Sequence, residues 1–449
     1  MMLWNIGFFI VAIVILVSFH EWGHYLFARL FKVKIITFSV GFGQTIFSWR
    51  NKKDTQFVVA VVPLGGFVRM AGSQEKDELD QPIKLNADEV YYDKLPPLKR
   101  IIISLAGPLF NFILAYLIYV WVFTHPITQQ NLVFDEVLVQ SVAYESGLTD
   151  GAEIIKVNGR SFNNLRELRL YLYRFAGQSR SVPIEYKQNG ELKYTQFNLE
   201  NLTINPTFGV YLQLGLIQKE ENYQASVVTV SEGPAKIAGM LDGDIWYSIN
   251  DELIDSQSKW ILGIQSGGIQ NWQVLRDGQL IALELIPTRD ESIKDSPYSI
   301  GVKVQSSAKT RHHLFKQDFT ALESIVYSFG YTLNMIEFNI ISIIKLIKGE
   351  FAVKNLGGPG TMADASGSAA KSGLLSFLAL LGVLSISLGV INLMPIPMLD
   401  GGNVLIDSIE LIRKKALSES WQLRFRTVGL LIVLSVMALA ITNDLFRYL

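Results

Sequence analysis

The chain contains no cysteine, which excludes disulfides, thiolate metal ligands and a cysteine nucleophile together, so any zinc must be held by histidine and carboxylate. Histidine is scarce as well, with five in 449 residues. Charge is thin, at 18% of residues, and the 40 Lys+Arg nearly cancel the 41 Asp+Glu. Without the cationic excess that phosphate neutralisation requires, nucleic acid is not an expected partner. What fills the space is apolar: 49% hydrophobic residues and a mean hydropathy of +0.27. That is too apolar for an ordinary soluble protein and too charged for a chain made only of spans. The composition predicts a polytopic α-helical membrane protein with soluble domains attached.

Four runs reach the roughly 20 apolar residues that a membrane crossing needs, at about 3–23, 101–123, 374–396 and 428–446. The first is expected to be retained rather than removed as a signal peptide, because no basic residue precedes it and a metal-binding motif closes it. Between the first two runs lie Arg29, Lys32, Lys34, Arg50, Lys52, Lys53, Lys99 and Arg100, and between the last two Arg413, Lys414, Lys415, Arg424 and Arg426. The positive-inside rule then puts both connections in the cytoplasm, and the termini and the long middle region outside. A fifth run, Ala321 to Ile347, is apolar at helical spacing but carries Glu323, Glu337 and Lys345. It reads as an interfacial or packed amphipathic helix, for a reason of parity: a crossing there would bring Asp400 out on the face opposite His20 and His24. The resulting division is 1–126 for the first two spans and a cytoplasmic loop, 127–220 and 221–306 for two soluble modules, 307–370 for the amphipathic helix and linker, and 371–449 for the last two spans.

The two modules are read from an internal repeat. Ala143, Gly147, Asp150, Gly151, Val157 and Asn158 match Ala235, Gly239, Asp242, Gly243, Ile249 and Asn250 at one constant offset of 92 positions, as 147 to 239 and 158 to 250. Each copy has a Gly- and Asp-rich turn leading into a β run, Ile154 to Val157 or Ile245 to Ile249. With Ser146-Gly147-Leu148 and Asn158-Gly159 in one copy, and Ala238-Gly239-Met240 and Asn250-Asp251 in the other, both resemble the PDZ module of bacterial proteases. The resemblance implies tandem α+β domains that bind extended peptides by adding a strand. The alternative is a pair that only blocks access or stiffens the chain.

The densest chemical signal is His20-Glu21-Trp22-Gly23-His24, at the end of the first apolar run. On a helix the two histidines share one face and can grip zinc, with Glu21 beside the water to be activated. Ionisable groups inside a span are expensive and imply function. Catalytic zinc takes three protein ligands, and Asp400 is the preferred third. It follows Asn392-Leu393-Met394-Pro395-Ile396-Pro397-Met398-Leu399, where prolines end the third run and Gly401 and Gly402 allow close backbone approach.

These motifs, with Gly41-Phe42-Gly43, Pro63-Leu64-Gly65-Gly66-Phe67, Ala106-Gly107-Pro108 with Asn111, and Asn355-Leu356 with Gly358-Pro359, resemble the site-2 protease family over essentially the whole length. The similarity is greatest to bacterial members with two PDZ domains that act in the sigma-E envelope stress response. It implies an intramembrane Zn2+ metalloprotease with Glu21 as the catalytic base and His20, His24 and Asp400 as the metal ligands. Asn392 is similar to a family position near the substrate backbone. The stretches 35–49 and 56–70 read as a β-hairpin or small sheet, and the resemblance places a similar element in the membrane near the metal. Gly43, Gly65 and Gly66 in it are assigned to substrate binding, with a sheet edge holding the substrate unwound. Implied partners are the lipid bilayer, a single-span anti-sigma factor already trimmed by another protease, and remnant signal peptides. The implied setting is the bacterial inner membrane, with the modules periplasmic and the active site near the cytoplasmic side. One departure is Asn403, where His is expected after Asp-Gly-Gly.

Two other classes stay open on residues alone. A non-catalytic scaffold would bind peptides through the modules and keep metal for structure, but structural zinc normally has four protein ligands. A transporter would show repeats within its spans, and here the repeat is in the soluble part.

Overall fold

The computed structural model describes residues 2–74, 81, 83–200, 202–203, 209–218, 220–221, 223–289, 297–307, 310–311, 314–349 and 357–448. Asn355 and Leu356 of the family motif lie outside this set. The chain divides into two compact units, one formed by Met1–Pro126 with Asp318–Leu449 and the other by Ile127–Gln317.

The first unit is helical. Long apolar runs give the motif helix Met2–Leu30, the second helix Pro97–Phe123, the helix Leu374–Asn392 and the last helix Glu419–Tyr448. Proline starts the second helix, where its missing N–H costs nothing. The helix Ala321–Ile347 opens with a capping box, Thr320 accepting from the Glu323 N–H while the Glu323 carboxylate accepts from Thr320. Among the described residues five helices are therefore long and apolar enough to cross a membrane, one more than the four expected. The additional one packs along the second helix and Leu374–Asn392. Ser324 donates to the Phe123 carbonyl, Tyr331 meets Tyr119 edge to face, and Asn339 accepts from Ser387. Asp400 lies against His20 and His24, the placement that parity requires of a chain in which Ala321–Ile347 does not cross.

The expected hairpin is present as strands Ile35–Arg50 and Gln56–Met70, paired antiparallel. The hairpin is folded on itself, with Phe38 opposite both Val68 and Phe57 and Ser39 opposite both Phe67 and Val58. This folding explains the poor alternation of apolar and polar residues, because part of each strand has neighbours on both sides. The distal half is exposed and carries Ile46, Phe47 and Trp49.

The second unit consists of two α+β modules, and the repeat is visible in its backbone. Gly147 and Gly239 both sit at φ +86°, and Asn158 and Asn250 at +53° and +50°. Asp150 accepts from the Val137 N–H at 2.8 Å, and Asp242 from the Val230 N–H at 2.7 Å. Asn164 and Ser256 cap corresponding helices, Leu165–Leu172 and Gln257–Gln265. The first sheet runs in the order Val133–Phe134, Ala152–Val157, Ser181–Gln188, Glu191–Asn198. The second runs Gln279–Leu285, Gln270–Arg276, Ile245–Ile249, Gln224–Val230, Val302–Ser307. Leu148, Leu168 and Phe197 centre one core, and Trp246 and Trp272 the other.

The copies have diverged in one buried polar contact. In the second, Arg276 binds Asp244 through two hydrogen bonds, each 2.7 Å, and the Leu241 N–H donates to the same carboxylate. Burial pushes the Asp244 carboxyl up, but these bonds and the guanidinium charge outweigh it and hold the group below the usual range. Removing one partner leaves a buried charge uncompensated, so Arg276→Met is expected to destabilise the second module by about 3–5 kcal/mol in chemical denaturation. Because the carboxyl is depressed in the fold, this contribution is complete above its unfolded value, near 4, and disappears as pH falls through its folded value. The difference between wild type and Arg276→Met should therefore shrink on acidification.

Candidate metal centre

The motif helix brings His20 and His24 to one face, one turn apart, and buries both together with Glu21. The second helix fixes their rings. The Nδ1–H of His24 donates to the Ile103 carbonyl at 2.8 Å, which leaves Nε2 as the free lone pair. His20 Nδ1 lies 3.1 Å from the side-chain amide of Asn111. Between these contacts Gly107 passes directly over the imidazoles, where a Cβ would stand 2.3 Å from His24 Nε2. Only glycine permits that approach.

The third group arrives from the other side. The helix Leu374–Asn392 ends at the asparagine, the chain turns through Pro395 and Pro397 with Met398 at φ +78°, and a new helix begins at Asp400. A Cβ on Gly401 would lie 2.3 Å from the Leu393 and Met394 carbonyls, so the glycine lets the chain double back tightly. His20 Nε2 is 3.1 Å from Asp400 Oδ2, His24 Nε2 is 3.4 Å from Oδ1, and the two Nε2 atoms are 3.3 Å apart.

These residues fit zinc. Ligands about 2.0–2.1 Å from a tetrahedral ion stand about 3.3 Å apart, which is the spacing of these atoms. Asp400 Oδ2 and Asn111 Oδ1 are buried without hydrogen-bond partners. Turning the Asn111 amide over would give His20 Nδ1–H an acceptor and free Nε2 for the ion, the usual arrangement behind a metal-bound histidine. Among the described residues no other cluster of histidine and carboxylate groups is close enough to hold a metal.

The three side chains open into a cavity of about 750 Å³ that also takes in Glu21, Asn392, Gly65 and Gly66. Gly66 is packed so closely on the motif helix that a Cβ would meet Val17 at 2.8 Å and Glu21 at 3.0 Å. Gly43 is not among the lining residues; its neighbour Phe42 is. Asn403, the departure from the expected His, lines the cavity too. Tyr92 and Ser104 complete the wall without having been singled out in the sequence. Burial, helped by the Asp407 charge, pushes the Tyr92 phenol up to about 12, so it remains a hydrogen-bond donor at neutral pH.

The profile of peptidase family M50 matches residues 8–436. The chain belongs to this family. Among curated relatives, the Vibrio cholerae "Putative zinc metalloprotease" is 30% identical, with 99% of each chain covered. The Haemophilus influenzae "Regulator of sigma E protease" is 28% identical and the Escherichia coli "Regulator of sigma-E protease RseP" 26%, again over 99% of both chains. The M50 chain is accordingly a zinc metalloprotease of the site-2 type, carrying apolar helices long enough to cross a membrane.

Asn111 was part of the family motif but had no role in the sequence reading. The available signal was a lone amide one turn after Gly107 in an apolar helix, which needs a buried partner. Zinc competition titrations on purified protein should show stoichiometric metal lost in Asp400→Ala and kept in Glu21→Gln. Asn111→Leu should weaken zinc binding by about 10–100-fold while the protein remains folded.

Proposed function

We propose that this M50 protease cuts single-span membrane proteins within or near the bilayer, with His20, His24 and Asp400 holding zinc and Glu21 as general base. The observation that carries this reading is the meeting of three ligand atoms from two helices at tetrahedral spacing beside a buried Glu21. Zinc, when bound, polarises the scissile carbonyl and acidifies water. Glu21 takes the proton from the attacking water and returns it to the leaving amine. Asn392, Gly65 and Gly66 face the same space and contact the substrate backbone. A helical substrate has its carbonyls already hydrogen-bonded, so it must unwind locally. The folded hairpin, seated on the motif helix at Gly66, supplies the edge against which it unwinds.

The relatives named as sigma-E regulators support an anti-sigma factor as substrate, in the inner membrane of a bacterium, with remnant signal peptides as a second class. The two modules act as PDZ domains on the periplasmic side. Their position in the chain, between the second helix and the helix from Ala321, supports a size gate that excludes a substrate until another protease has trimmed its outer domain. The second module carries a groove of about 370 Å³, where the terminal strand Val302–Ser307 faces Trp260 and Ile264 of the helix Gln257–Gln265.

Co-expression with a tagged single-span substrate tests both parts. Pre-trimmed substrate should be cut by wild type and left intact by Glu21→Gln. Deletion of 127–306 should permit cutting of untrimmed substrate. An unchanged need for trimming removes the gate, and equal product from Glu21→Gln removes the assigned chemistry.

A further inference from the structure

The last helix turns one face to the metal cavity, and that face carries a charge. Arg426, Leu430 and Val433, spaced i, i+4 and i+7, line the cavity with Glu21, Asp400, Asn392 and Asn403. The sequence pattern placed Arg426 in the basic connection before the last span. In the structure the helix already starts at Glu419, so Arg426 stands two turns into it, exposed and just ahead of the apolar run from Val428. Gly429 fixes this face, since it is buried against the proline turn where a Cβ would lie 2.2 Å from the Pro397 carbonyl oxygen.

Among the described residues Arg426 has no carboxylate within ion-pair distance. Arg100, in the same unit, shows the contrast, because Asp407 at 3.2 Å and Glu410 at 2.5 Å both bind it. Nor do the cavity's own charges provide Arg426 with a counter-charge. Zinc would carry two positive charges, matched by the carboxylates of Asp400 and Glu21, so the guanidinium remains in excess. Exposed on the cavity side, the guanidinium is free to meet a carboxylate of a bound substrate, and charge complementarity of this kind selects partners by attraction and by repulsion alike.

We propose that Arg426 is a specificity-determining residue that pairs with an Asp or Glu of the substrate within a few residues of the scissile bond, on the side facing the basic connection 413–424. The inference rests on the proteolytic reading above and adds to it a preference set by one side chain. Substrates with an acidic residue there are drawn in, and those with Lys or Arg are repelled.

The test uses purified full-length protein, zinc-loaded in detergent micelles. The substrates are single-span proteins identical except for Asp, Asn or Lys at successive positions near the cut. Wild type should prefer Asp over Lys at one of these positions by about tenfold in kcat/KM, mainly through KM. Arg426→Glu should invert that order, and Arg426→Gln should flatten it while still cutting the Asn substrate. An order unchanged in both variants, or the absence of any charge preference in wild type, overturns the pairing and leaves the protease assignment standing. Failure of wild type to cut any substrate, with zinc bound, overturns both.

Discussion

The contact on which the rest depends is the passage of the second helix over the two histidines at Gly107. A missing Cβ there allows the backbone to come within van der Waals reach of both rings. The Ile103 carbonyl and the Asn111 amide, on either side of it, hold the far nitrogens of His24 and His20. The Nε2 atoms, beside Gly107, are thereby left facing Asp400. Two helices thus pre-orient a ligand pair before any metal is considered, and in an apolar setting such orientation is costly to disturb, because a displaced imidazole finds no water to bond.

Asp400 is held by a different device. Its helix is anchored two turns later, where Arg100 at the start of the second helix binds Asp407 and Glu410, and Glu410 also accepts from the Leu417 N–H. Both sides of the candidate metal site are therefore referred to one element, Pro97–Phe123. At the other end of the same unit, the Asp444 carboxylate accepts from the Gly358 and Gly360 N–H groups at 3.0 and 2.7 Å, capping the helix Pro359–Lys371. Asn5 of the motif helix donates to Asp364 of that capped helix. The candidate metal site lies between two polar anchors in the helical unit.

Much of this was legible in the sequence, and the reason is spacing. Two histidines four apart with a glutamate between them, and an aspartate just after a double proline break, leave few geometries open. The repeat was legible because Gly147 and Gly239 need a left-handed backbone that recurs at the same offset. What the sequence did not show was lateral packing. Nothing local reveals that Asn111 faces His20, that Arg426 lies inside the last helix rather than before it, or that the hairpin folds back so that Phe38 has two partners. The helix Ala321–Ile347 was set apart for its Glu and Lys residues, yet its serine, asparagine and tyrosines find partners on neighbouring helices. Each of these depends on which residues share a depth, and a one-dimensional pattern does not carry that.

The proposed His–His–Asp zinc site hydrolyses its substrate inside an apolar segment. The most direct measurement maps the cut by mass spectrometry after purified protein in lipid nanodiscs has acted on a single-span substrate, before chelation, after chelation and after zinc is restored. A new terminus is expected within or bordering the apolar segment, lost with the chelator and recovered with zinc. A cut confined to an exposed loop, or one indifferent to the chelator, would contradict it.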